Sequence, residues 1–149
     1  MKISLNTKVM VRSGVRGVIA AMAMSGLRQA TTSLNLVESS PPKSVLQKTV
    51  PGLLEQLPGE QHPALLAVAH WGYGLGAGLA FGALPERLRH KTWVGPVYGM
   101  ALLAAFHFGI APALRIEQRL TDVHEQLALT ADHLLYGIVV AGFPMPHRD

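Results

Sequence analysis

Two stretches of this chain carry no Asp, Glu, Lys or Arg: residues 61–85 and 92–114. Each is long enough to cross a bilayer as a helix, because a hydrocarbon core of about 30 Å takes roughly 20 apolar residues at about 1.5 Å rise. That constraint fixes the solvent before it fixes anything else. A helix that is apolar all round belongs in lipid or deep in a core. The expected fold class is therefore all-α: a polytopic membrane protein built as a four-transmembrane-helix bundle.

Composition agrees. Of the residues, 49% are hydrophobic and only 15% charged, against about 25% charged in ordinary soluble domains. Mean hydropathy is positive, at +0.27. Cysteine is absent, which removes disulfides, thiolate metal sites and cysteine nucleophiles. The net charge of +4 and pI near 9.8 do not argue for nucleic acid. The basic residues sit in short flanks beside apolar runs, which is a topology signal.

The chain reads as a single membrane domain over residues 1–149, with spans near 11–34, 63–84, 93–113 and 127–143 and an outer connector at 38–60. The first span is the most interrupted, because Arg16 and Arg28 flank an uncharged run of only 11 residues. A basic start followed by Ala21-Met22-Ala23 also fits a signal peptide, and the membrane helix is the preferred reading. Pro41-Pro42 blocks helix entry in the connector. Arg115 to Gln126 is mixed in charge with a partial apolar face, as an interfacial helix or the first turns of the next span would be. Four basic residues precede the first apolar run and three lie in the Glu86–Lys91 loop. The positive-inside rule then puts both termini in the cytoplasm.

Small residues recur at helical spacing. His70, Gly74, Gly78 and Gly82 share one face of the second span, and Gly14, Gly17, Ala21 and Ser25 form a similar stripe in the first. Gly95 and Gly99 do so in the third, and His133, Gly137 and Ala141 in the fourth. Such stripes let helix backbones approach closely in lipid, within one chain or between chains. The partners implied are the bilayer and other membrane helices, as a homo-oligomer or a larger complex, and not nucleic acid. His70-x-x-Tyr73-Gly74 and His133-x-x-Tyr136-Gly137 repeat in the second and fourth spans, which suggests two helical hairpins in tandem.

Depth singles out a polar layer. At about 1.5 Å per residue, Arg28 lies about 18 Å beyond Arg16, and His70, His107, Asp132 and His133 lie about 21–22 Å from the same cytoplasmic edge. Isolated charges there are costly, so these groups are expected to face inward and pair, Arg28 with Asp132 directly or through His133. Three uses compete. The layer can fix helix packing, it can carry protons or a small solute, or its histidines can ligate a metal or haem. No His-x-x-x-His pair occurs within a span, and the phosphate-loop and nucleophile-elbow patterns are missing. No catalytic residue, metal site or cofactor is assigned.

The arrangement as a whole resembles the YagU-like family of small bacterial inner-membrane proteins. The residues that carry the resemblance are Pro41-Pro42-Lys43 after the first span, His70-Trp71-Gly72, Gly95 to Gly99 followed by His107 and Pro112, and Asp132-His133-Leu134-Leu135-Tyr136 after Glu125. It implies an inner-membrane location and a loose link to stress or acid tolerance, and it brings no catalytic residues. The expected function is that of a non-enzymatic accessory or interaction component acting through helix packing. The alternatives are a proton-linked channel or transporter and a His-ligated metal or haem subunit.

Overall fold

The computed structural model describes residues 6–34, 56–116 and 123–142, with positions 45, 47–49 and 52. Those residues are helical or lie in turns, with no strand among them. Most of the 38–60 connector, much of the mixed-charge segment after Arg115, the end of the fourth span at Phe143, and His147 lie outside the described residues.

Helix α1 spans Thr7–Ser33. It starts four residues before the expected 11 because the Asn6 side chain accepts from the backbone N–H groups of Lys8 at 3.1 Å and Val9 at 3.4 Å. A capping side chain of this kind satisfies donors that the first turn leaves open. Helix α2 spans His62–Gly82 with Pro63 in its first turn, where a missing N–H costs nothing. A single turn, α3 (Glu86–Arg89), follows Pro85. Helix α4 covers Val94–Ala105 and continues through a π turn at Phe106–Ile110 into a last α turn at Ala111–Ala113. Helix α5 covers Val123–Ala141. It ends at Gly142, whose φ of +75° suits a residue without Cβ. The Arg16 side chain lies where a Gly142 Cβ would project.

The π turn is the one departure from a regular third helix. Pro112 has no N–H to donate one turn back, and its ring crowds the carbonyl there. The Ala111 N–H bonds instead to the Phe106 carbonyl, five residues back. The wider turn rotates everything beyond it relative to the first half of α4.

Two helices, Gly59–Gly82 and Val94–Ala113, are long and apolar enough to cross a membrane. Only 17% and 28% of their apolar windows are buried inside the protein, so most of their apolar surface faces outward. Phe108 is 85% exposed. Helices α1 and α5 are diluted by polar groups, Arg12, Arg16 and Arg28 in one and Glu125 and Asp132 in the other.

Consecutive long helices run antiparallel. Gly82 of α2 lies by Met10 of α1, Gly78 by Ser13 and Gly14, and Gly74 by Gly17 and Ala21. A Cβ on Gly82 would come within 2.7 Å of the Met10 Cα, and one on Gly74 within 2.5 Å of the Ala21 Cβ. Helices α4 and α5 repeat the arrangement. Gly95 faces Gly137 and Ala141, and Gly99 meets the His133 carbonyl. Each hairpin is thus closed by a seam of backbone-to-backbone contact that only small residues permit. The hairpins join where α1 packs on α5. The core of Ala20, Met24, Ala77, Phe81, Val94, Tyr136 and Val140 draws on all four long helices. Helix α4 reaches back to α2 through Tyr98, whose ring stands edge-on to Phe81 at 5.2 Å and whose hydroxyl donates to the Ala77 carbonyl at 2.7 Å. Tyr136 donates to the Gly74 carbonyl, also at 2.7 Å.

Candidate functional site

The polar residues singled out by depth gather at the end of the bundle away from Met10 and Gly82. Three consequences of the local folding put them there. The α1–α2 seam sets Ser25 opposite His70. The α1–α5 junction sets Arg28 opposite Asp132. The α4–α5 seam, through Gly99 against His133, brings α4 alongside the same level.

Arg28 Nη2 donates to Asp132 Oδ2 at 2.8 Å. The Asp132 side chain is 5% exposed and that of Arg28 15%. Removing both charges from water is expensive, and their mutual attraction in a low-dielectric setting offsets that cost only while both partners remain. The contact uses one guanidinium nitrogen. Arg28 Nη1 is buried and has no hydrogen-bond partner among the described residues.

Of the two expected routes, Arg28 meets Asp132 directly, and the histidines bond elsewhere. His133 Nδ1 lies 2.8 Å from the Leu129 carbonyl, and His107 Nδ1 lies 3.2 Å from the Leu103 carbonyl. A carbonyl only accepts, so each ring carries its proton on Nδ1 in these bonds. His70 Nδ1 lies 3.1 Å from Ser25 Oγ, and Ser25 Oγ donates its own proton to the Ala21 carbonyl at 3.0 Å. His70 is thus the donor to the serine. This is the reverse of a base activating a nucleophile, which would take the serine proton. The three rings are pinned through Nδ1, and His133 and Arg28 lie within electrostatic range of His70. His107 lies within that of His133.

Among the described residues, no group of three or more His, Cys, Asp or Glu is arranged to hold a metal ion. The remaining candidates belong to packing. Gly74, Gly78 and Gly82 line the α1–α2 seam and Gly137 the α4–α5 seam, while Gly72 and Gly76 face outward with nothing within 4 Å of a Cβ. Sequence reasoning overlooked Ser25 as the partner of His70, although its place in the α1 stripe was visible. It also missed the two tyrosine hydroxyls that bond to α2 carbonyls. No local signal announces those, since Tyr73 in the matching repeat position is 43% exposed.

Comparison with protein-family models, curated proteins and solved structures returned no match to this chain.

Proposed function

We propose that this chain is a small multi-pass protein of the bacterial inner membrane, a bundle of four spans in two tandem hairpins, which acts as a non-enzymatic accessory or interaction component through helix packing. The observation that carries the reading is the pair of glycine seams. Close backbone approach consumes the small-residue faces, and the outward surfaces of α2 and α4 stay apolar, with Val68, Leu75, Val97, Met100 and Phe108 exposed. An apolar surface of that extent calls for lipid or other membrane helices. The Arg28–Asp132 pair then locks the two hairpins together within the apolar setting. The YagU-like resemblance supports the inner-membrane location, and the basic flanks support cytoplasmic termini.

The test uses the full chain, purified in mild detergent and reconstituted into vesicles. The packing reading expects a discrete assembly larger than one chain by native mass measurement. It also expects a pH gradient to decay no faster than in empty vesicles.

A second reading, a proton-linked channel or transporter, is favoured by one feature. His70, His107 and His133 each form a hydrogen bond through Nδ1, His133 lies within electrostatic range of both other rings, and the π turn falls on His107. Widened turns of that kind are frequent at functional sites. Gradient decay that Asp132→Asn abolishes would establish this reading in place of the first.

A further inference from the structure

We propose that the basic end of the bundle is a binding surface for the headgroups of anionic glycerophospholipids. The inference rests on the membrane reading above and adds a lipid class to it. Antiparallel packing of α1 on α2, with Met10 against Gly82, brings the start of α1 and the α2–α4 connection to one end. Lys8, Arg12 and Arg16 recur every four residues and so form one stripe on α1. Arg87, Arg89 and Lys91 lie in the connection. Against these six basic side chains, the described residues at this end supply one acid, Glu86, which already pairs with His90 at 3.5 Å. Among the described residues the opposite end is mixed, with Arg28, Arg115 and Lys48 of the α1–α2 connection set against Glu60, Glu125 and Asp132. The positive charge is therefore segregated by the fold.

The six do not share one task. Arg89 is buried and donates through Nε to the Leu84 carbonyl at 3.0 Å, and Arg16 lies against Gly142 at the end of α5. Lys8, Arg12, Arg87 and Lys91 are exposed and form the surface assigned to headgroups. The neighbouring stripe of α1 is apolar and outward, with Val11, Val15 and Ile19 all more than half exposed. A lipid whose phosphate meets Lys8 and Arg12 would lay an acyl chain along those three residues. Trp93 is 56% exposed at the same end, and an indole ring favours headgroup depth. Adjacent cation and apolar stripes fit a lipid better than an acidic soluble partner, which would have no use for the valines. Each basic side chain near an anionic surface multiplies attraction by about fivefold, and salt screens it.

The experiment equilibrates the full chain with an equal mixture of phosphatidylglycerol and phosphatidylcholine, repurifies it, and measures the lipid retained. Wild type should be enriched in phosphatidylglycerol. The triple variant Lys8→Gln/Arg87→Gln/Lys91→Gln, which touches only exposed side chains, should lose that enrichment by about tenfold or more. The charge-keeping variant Lys8→Arg/Arg87→Lys/Lys91→Arg and the opposite-end variant Arg115→Gln should retain it. Equal retention of both lipids by wild type, or enrichment that survives the triple change, overturns the proposal. Alkaline extraction from vesicles separates this failure from a deeper one. A chain that stays in vesicles without lipid preference refutes the headgroup surface alone, whereas a chain extracted from all vesicles refutes the membrane reading as well.

Discussion

The Arg28 guanidinium meets the Asp132 carboxylate at 2.8 Å across the junction of α1 and α5. These residues are 104 positions apart in the chain, and their contact ties the first hairpin to the second. Either charge left alone in the apolar bundle is costly, because nothing then offsets its removal from water.

Arg28→Leu and Asp132→Leu should therefore each lower the thermal stability of the purified protein. The double change should recover part of the loss, because it leaves no buried unpaired charge. A double-mutant cycle measures the coupling. Strictly additive effects would show that the contact carries no energy.

The glycine seam gives a sharper contrast. Gly78 faces the backbone of Ser13 and Gly14, while Gly76, two residues away, has nothing within 4 Å of its Cβ position. Gly78→Leu should destabilise the protein by at least about 2 kcal/mol, as overpacking against backbone does. Gly76→Leu should leave unfolding in detergent nearly unchanged. Equal behaviour of the two variants would contradict the seam.

The hydroxyl of Tyr136 donates to the Gly74 carbonyl inside the bundle. Tyr136→Phe keeps the ring and removes that bond. It should cost about 0.6–1 kcal/mol, the usual worth of an interhelical hydrogen bond in an apolar setting. Chemical denaturation in mixed micelles measures it.

Much of this was legible in the amino-acid order, for a physical reason. The absence of charge over 61–85 and 92–114 marks α2 and α4 almost to their ends, because apolar length is a property of single residues. The spacing of Gly74, Gly78 and Gly82 marks the buried face, because a helix repeats every 3.6 residues. Arg28 and Asp132 could be matched by depth alone, because rise per residue is constant. What escaped depends on relations that no period encodes. The π turn at Phe106–Ile110 arises from a hydrogen-bond shift around Pro112. The early start of α1 depends on the Asn6 side chain turning back on its own helix. The hydrogen-bond partners of the histidines were not legible either: His133 and His107 bond to carbonyls one turn back in their own helices. Their ring orientation is decided by local geometry that residue type does not reveal.

The proposed topology puts the ends of this bundle on opposite sides of a membrane. The native chain has no cysteine, so single cysteines report position without interference. Lys8→Cys and Lys91→Cys probe one end, and Glu60→Cys and Arg115→Cys the other, all at exposed positions. In intact bacterial cells, a membrane-impermeant thiol reagent should label Glu60→Cys and Arg115→Cys, and reach Lys8→Cys and Lys91→Cys only after the membrane is broken. Labelling of all four before lysis, or of none until lysis, would contradict the account.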